Sequence, residues 1–292
     1  MHVNASTLPP PRNILLASDL HAHGDRALDR AAQLARQWRV PLHVVYVQAG
    51  DGCDLISPMP LSWRHESAPA AWVERKIRRN LGHDVGELVV HVGEGEPADV
   101  ILDTAASLGC DLIVLGGAES TAPGAPGRVT EQLLRRSPVS LLVVKNRPRG
   151  AYAHAVVGTD FTSESRDGLT AAAGWFPAAR LALLHVLDIP YTSLWLDEGG
   201  GEALVRMEMA TMQAFLSSAP LAEEARARVV ALVEHGHPEI VLRDYALRED
   251  ADLVVIGAFR RGLAFHVLVG GTSRRIVPAM PADVLLVRAQ AD

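Results

Sequence analysis

Short apolar runs alternate with amphipathic stretches along the whole chain. In the first half the apolar runs are ILLAS, LHVVYV, ELVVHV, DLIVLG and SLLVVK. They lack a two-residue alternation of apolar and polar positions, which is typical of strands that are covered on both faces. Between the first two runs, DRALDRAAQLARQW places its apolar residues at helical spacing. This pattern predicts a doubly wound α/β fold with a parallel sheet and right-handed crossovers.

The same pattern occurs twice. Three pairs of segments match, namely NILLASDL with AVVGTDF, GEPADVIL with GHPEIVL, and CDLIVLGG with ADLVVIGA. Asp19 and its partner Asp160 are 141 residues apart, and this separation holds as far as Gly116, whereas from Pro138 onward it is 143. The first copy is therefore two residues shorter between Gly116 and Pro138, and we expect the copies to differ most in that loop.

The two copies of the strand and helix pattern predict two domains, residues 1–149 and residues 150–292. They are joined near the polar segment NRPRGA, which contains both proline and glycine. A chain of 292 residues has the length expected for two domains of about 150 residues each.

Composition narrows the class of protein. Hydrophobic residues make up 48% and charged residues 21% of the chain, as in ordinary soluble globular proteins. A net charge of -6 gives no indication of a nucleic-acid partner, which requires a basic face. No apolar run reaches the roughly 18 residues of a membrane span, and the N-terminus lacks a signal-peptide core. We expect a cytoplasmic protein in which Cys53 and Cys110 pack rather than react.

The repeat order, together with the segments DLVVIG, GGTS and VLLV at the end of the chain, resembles the tandem universal stress proteins over nearly the full length. The resemblance implies a stress-response protein with two five-stranded parallel sheets of the adenine-nucleotide alpha-hydrolase-like type, packed as an internal pseudo-dimer. It also leaves pairing into a homodimer open. Its ATP-binding members carry a glycine, two residues, a second glycine, nine residues, and a third glycine followed by Ser or Thr.

The second domain keeps part of this motif. Asp160 stands at the position that contacts the nucleoside, and Val186 at the strand position beside the adenine. Arg260 replaces the second glycine and Gly271 replaces the Ser or Thr. The candidate ATP-binding residues are Asp160, Val186, Ile256, Gly257, Arg260, Gly270, Gly271, Thr272 and Ser273.

Arginines surround the loop of the second domain. The four are Arg260, Arg261, Arg274 and Arg275. Replacing the second glycine removes a close backbone approach to phosphate, but guanidinium groups bind phosphate bidentately. The glycines at 270 and 271 also precede a helix whose first N–H groups favour anions. Two alternatives stay open, in which the arginines are solvated or paired with nearby carboxylates and Asp160 only caps a helix.

The first domain departs further from the motif. Asp19, Val47 and Gly116 match it, but Glu119 stands in place of the second glycine. Prolines in the loop remove N–H donors, and the acidic side chains repel phosphate. We therefore predict that ATP binds in the second domain only.

Other chemistry has little support. The sequence contains no Gly-x-Ser-x-Gly elbow and no paired carboxylates, so we predict no catalytic residues and at most weak ATP hydrolysis. The segments HAH (His21, His23) and HGH (His235, His237) carry imidazoles that suit zinc, but neither has an evident third ligand, and we predict no metal. The main alternative function is a protein-interaction or scaffold module of the same family that binds no nucleotide.

Overall fold

The computed structural model describes residues 8–20, 24–48, 69–81, 86–117, 125–187, 200–258 and 275–288. They fall into two compact units. The first domain lies within residues 11–121 and 127–149, and the second within residues 150–292 together with residues 8–10 and 125–126.

The first domain is a parallel five-stranded sheet with helical crossovers, as the apolar runs predict. Its elements are β1 (Ile14–Ser18), α1 (Asp25–Trp38), β2 (Leu42–Gln48), α2 (Pro69–Leu81), β3 (Leu88–Glu94), α3 (Pro97–Ser107), β4 (Leu112–Gly116), α4 (Arg128–Arg136) and β5 (Ser140–Val144). The strand order is β3-β2-β1-β4-β5, and every neighbouring pair is parallel.

The second domain repeats this arrangement. Its elements are β6 (His154–Thr159), α5 (Ser163–Trp175), β7 (Arg180–Leu187), α6 (Gly200–Ser218), α7 (Glu223–Ala227), β8 (Val229–His235), α8 (Pro238–Arg248), β9 (Leu253–Gly257) and β10 (Asp283–Val287). Residues 275–279 are also helical. The strands are parallel and follow the order β8-β7-β6-β9-β10.

The backbone confirms the spacing read from the sequence. Leu20 and Phe161, which are 141 residues apart, have left-handed φ values of 59° and 64°. Gly95 and Gly236, at the same separation, have φ values of 128° and 129°. β5 begins 143 residues before β10, so the two-residue difference does fall between the fourth and fifth strands of each copy.

The strand interiors form the cores. Leu15 and Val114 in the first domain, and Val157 and Val255 in the second, are fully inaccessible to solvent, as expected when helices cover both faces of a sheet. Right-handed crossovers place α1 and α2 on one face of the first sheet and α3 and α4 on the other. Among the described residues, no helix has the length and apolarity needed to cross a membrane.

This strand order creates a switch point in each sheet. β1 and β4 are neighbours, as are β6 and β9, and the chain leaves the two strands of each pair in opposite directions. In open α/β sheets ligands bind at such a point, outside the carboxyl ends of the strands. The candidate site is therefore expected where β6 and β9 end.

Candidate nucleotide-binding site

Two of the predicted site residues meet at the switch point of the second domain. Gly158 of β6 pairs with Ile256 of β9, so Asp160 and Gly257 follow at the same edge of the sheet. The chain turns sharply after Asp160, with Phe161 in the left-handed conformation, and α5 starts at Ser163.

The first turn of α5 lies against the end of β9 with backbone touching backbone. A Cβ on Gly257 would lie 2.0 Å from the carbonyl oxygen of Glu164 and 2.6 Å from the nitrogen of Ser165. A Cβ on Gly168 would lie 3.2 Å from the nitrogen of Gly257. Glycine at position 257 is thus required for helix–strand packing, which brings the N-terminus of α5 to the place where the chain leaves β9.

The carboxylate of Asp160 is exposed and only partly engaged. Its Oδ1 accepts hydrogen bonds from the backbone N–H (3.2 Å) and the hydroxyl of Thr162. Thr162 is the N-cap of α5, because its Oγ1 accepts from the N–H of Ser165 at 3.3 Å. Asp160 therefore orients the capping residue and is not itself the cap. Its Oδ2 accepts no hydrogen bond from the described residues.

An aromatic cluster that the sequence analysis missed lies behind this turn. Thr159 Oγ1 accepts from the N–H of Phe161 at 3.0 Å, and the Phe161 ring stacks on His185 with centroids 4.2 Å apart. His185 Nδ1 is 2.8 Å from the carbonyl oxygen of Thr159, so this nitrogen carries a proton and donates. His185 Nε2 lies 3.7 Å from a carboxylate oxygen of Glu208.

The other two described site residues lie near the carboxyl ends of β7 and β9. Ile256 is 7% exposed, so its side chain belongs to the core. Val186 is half-buried on β7, next to His185 and in register with Glu234 of β8. Both strands present their carboxyl ends toward the edge that carries Asp160.

The remaining residues of the predicted motif follow β9 in the sequence. Arg260, Gly270, Gly271, Thr272 and Ser273 lie outside the described residues, as do Arg261 and Arg274.

One flanking arginine is described, and it is paired. Arg275 Nε lies 3.3 Å from Glu239 Oε1, which is the pairing alternative left open by the sequence. Arg128 of the first domain is similar, with a guanidinium nitrogen 3.0 Å from Glu96 Oε2. The Arg275 side chain is 57% exposed, and ion pairs this exposed contribute only about 0–1 kcal/mol. An anion can therefore compete for Arg275.

The start of α5 is acidic. Asp160 and Glu164 lie in or next to its first turn, and Asp167 follows one turn later. Burial raises the pKa of Asp167, the charge of Glu164 raises it further, and Arg166 opposes the effect. Because these carboxylates repel phosphate, binding of a phosphate here depends on cations from the loop after β9.

The equivalent edge of the first domain is built differently. Ser18 Oγ accepts from the N–H of Leu20 at 3.1 Å, as Thr159 does for Phe161, but Lys76 Nζ donates to the carbonyl oxygen of Leu20 at 2.9 Å. Asp19 is exposed, and its Oδ1 would lie 3.0 Å from a Cβ on Gly24. Gly24 is the N-cap of α1 and makes no side-chain cap.

Within the described residues, no three or more His, Cys, Asp or Glu side chains are grouped so that they could hold a metal ion. His235 and His237 are exposed, while His21 and His23 lie outside the described residues. Burial, with a contribution from Asp111, raises the pKa of Cys110 to about 11. This thiol is protonated and packed, as predicted.

Comparison with known proteins agrees with these observations. The model of the Universal stress protein family matches residues 11–145 and 151–288. The chain belongs to the universal stress protein family. No curated protein matches the chain.

Two solved structures share the fold of this universal stress protein. A Pseudomonas aeruginosa UCBPP-PA14 protein, provisionally named a universal stress protein, has 18% identity and a TM-score of 0.66, with 95% of this chain and 93% of that chain covered. A universal stress protein from Archaeoglobus fulgidus DSM 4304 has 16% identity and a TM-score of 0.64, with 97% of this chain and 98% of that chain covered. A universal stress protein in complex with cAMP has 21% identity and a TM-score of 0.37, covering 47% of this chain and 98% of its own.

Proposed function

We propose that this universal stress protein binds an adenine nucleotide, with ATP as the candidate, in its second domain only and without strong catalysis. The observation that carries the proposal is the exposed carboxylate of Asp160 at the switch point, with one oxygen unengaged among the described residues. This carboxylate stands where ATP-binding members of the family contact the nucleoside.

The chemistry of Asp160 suits a ribose. A carboxylate oxygen accepts hydrogen bonds from sugar hydroxyl groups, and charge-assisted bonds of this kind are roughly twice as strong as neutral ones. Its other oxygen is held by Thr162, so the group is pre-oriented before a ligand arrives. Pre-orientation lowers the entropy cost of binding.

The phosphates have to be held by the loop after β9. The acidic first turn of α5 disfavours an anion, so Arg260 and its neighbouring arginines supply the positive charge in this proposal. Guanidinium groups replace the backbone N–H groups that a second glycine would have brought close to the phosphates. The first domain has Glu119 at the corresponding position, and we propose that this domain binds no nucleotide.

Calorimetry with ATP tests the proposal on the full chain and on Asp160→Ala. Losing a hydrogen bond to a charged group costs about 1.5–3 kcal/mol, which corresponds to roughly tenfold weaker binding or more. Ser163→Ala is the matched control, because the Ser163 hydroxyl donates to Glu164 and its loss leaves both Asp160 and Thr162 in place. Equal ATP affinity in the wild type and Asp160→Ala would rule out the site, as would an equal loss in Ser163→Ala.

The proposal of binding without strong catalysis has its own test. Phosphate release from ATP is measured with the wild type and with Gly270→Val, which alters the loop after β9. We expect turnover near the uncatalysed rate in both. Turnover well above that rate which disappears in Gly270→Val would instead identify an ATPase.

A nucleotide-free interaction module is the second candidate. It is favoured by large apolar side chains that are exposed on the second domain, with Val230 52%, Ile240 42% and Leu247 61% accessible. Ile240 and Leu247 are seven residues apart on α8 and therefore lie on the same side of the helix. This candidate predicts no thermal shift on addition of ATP, together with the loss of a partner when Leu247 is changed to Asp.

A further inference from the structure

Two histidines of the first domain face each other across neighbouring strands. His43 lies on β2 and His91 on β3, and the register pairs His43 with Val89 and Val45 with His91. Alternate residues of a strand point to the same face of the sheet, so both imidazoles lie on one face as a diagonal pair. His91 Nε2 is 3.4 Å from His43 Nδ1.

That spacing fits a shared metal ion. Two nitrogens bound to one tetrahedral zinc ion at about 2.0–2.1 Å are separated by roughly 3.3–3.4 Å. The ring planes are inclined by 42°, with centroids 5.5 Å apart, so the rings are not stacked on each other. Either ring nitrogen of histidine can serve as a ligand in the neutral form.

The pair is held rigidly but is open to solvent. Hydrogen bonding between β2 and β3 extends over the whole length of both strands. On the same face, α3 approaches β3 at Gly93, where an added Cβ would lie 2.4 Å from a methyl carbon of Val100. Both histidines are half-buried, so a hydrated ion can reach them and keep water in its remaining positions.

The protonation state favours a ligand role. Burial lowers the pKa of His43, the neighbouring His91 lowers it further, and Glu87 opposes the effect. Burial also lowers the pKa of His91. Both shifts favour the uncharged form of each ring, which is the form that binds a metal ion.

We propose that His43 and His91 form a two-histidine binding site for a divalent transition-metal ion of the zinc type. Water completes the coordination in this proposal, which makes the site exchangeable, in contrast to a closed structural centre. The second domain has no such pair at the corresponding positions of its described strands. Register alignment of the two sheets places Ala182 and Leu232 at the corresponding positions of the second domain.

The test is calorimetric titration of the metal-stripped full chain with Zn²⁺ at neutral pH, in the wild type, His43→Gln and His91→Gln. Removing a residue that hydrogen-bonds to a metal ligand already lowers metal affinity about 10–100-fold. Removing a ligand itself should have at least that effect, so each variant should bind Zn²⁺ at this site at least about tenfold more weakly. The double variant should bind at most one Zn²⁺ ion per chain fewer than the wild type. If one variant fails to fold, the other carries the test.

His235→Gln is the matched control, because it removes an exposed imidazole from the second domain. It should leave this binding event unchanged. A second readout is NMR of the imidazole nitrogens, in which Zn²⁺ should shift His43 Nδ1 and His91 Nε2 together. Unchanged affinity in both single variants, or loss of the binding event in His235→Gln, would overturn the proposal.

Discussion

The two domains share a backbone and differ in the turn that follows their first strand. In the second domain Asp160 orients Thr162, which caps α5. In the first domain Gly24 starts α1 without a side-chain cap, and Lys76 fixes the carbonyl oxygen of Leu20. The left-handed residue after the aspartate persists in both. The duplicated fold thus preserves the turn geometry, while the surroundings of the two carboxylates have diverged.

The largest loss of stability is expected where α5 closely approaches β9. Gly257→Val should destabilise the second domain by about 3 kcal/mol or more, because its Cβ would overlap the carbonyl oxygen of Glu164 and the helix would have to move. Chemical denaturation followed by circular dichroism measures the change.

Gly158→Ala is the control for this variant. A Cβ there would be 3.5 Å from the nearest atom, an ordinary contact, and Gly to Ala within a strand changes stability by about 1 kcal/mol at most. Equal effects of the two substitutions would show that the backbone contact at position 257 is unimportant.

A second difference lies at the amino end of the last strand. Asp283 is fully buried and accepts a 2.7 Å hydrogen bond from the hydroxyl of Tyr152. Ser140 stands at the equivalent position of the first domain and is also buried. Tyr152→Phe should cost about 1.5–3 kcal/mol, because it removes a donor from a buried carboxylate, whereas Ser140→Ala should cost about 1 kcal/mol. Thermal unfolding compares the two, and a larger loss in Ser140→Ala would contradict this reasoning.

The helix cap provides a smaller test. Thr162→Ala should lower the free energy of unfolding by about 1 kcal/mol, the usual cost of losing an N-cap. Ser163→Ala is the neighbouring control, since that hydroxyl only makes a solvent-exposed hydrogen bond to the carboxylate of Glu164. If both variants lost the same stability in urea titrations, the assignment of Thr162 as the cap would be wrong.

The histidine pair predicts a modest pH effect confined to the first domain. Because the pKa values of His43 and His91 lie below 6.5 in the folded protein, the unfolded chain binds more protons in mild acid. The resulting stability is complete above pH 6.5 and is lost as the pH falls through 6.5 toward the lower folded values. Thermal unfolding is measured at pH 7.5 and at pH 5.5, on either side of that value. The difference in melting temperature between the two pH values should be smaller in the double variant His43→Gln, His91→Gln than in the wild type. An identical difference would mean that the two imidazoles titrate normally.

The sequence predicts the fold well because the fold is encoded in repeated local patterns. Apolar runs such as ILLAS and the helical spacing of DRALDRAAQLARQW correspond directly to β1 and α1. The constant separation between Asp19 and Asp160 also follows from comparing the sequence with itself. These signals need no knowledge of which strands are neighbours.

The side-chain partners could not be predicted in the same way. His43 and His91 are 48 residues apart, and each appears as one polar residue in an apolar run until the strand register is known. Arg275 reads as a phosphate ligand from its place near the motif, yet it pairs with Glu239 of α8. The stack of Phe161 on His185 depends on a left-handed turn that a phenylalanine rarely adopts.

We propose that nucleotide binding is confined to the second domain. An ATP titration by calorimetry of the wild type, Asp160→Ala and Asp19→Ala, with stoichiometry and affinity both measured, tests this. We expect one ATP per chain, binding weakened about tenfold or more by Asp160→Ala, and no effect of Asp19→Ala. Two ATP per chain, or binding lost through Asp19→Ala and retained in Asp160→Ala, would contradict it.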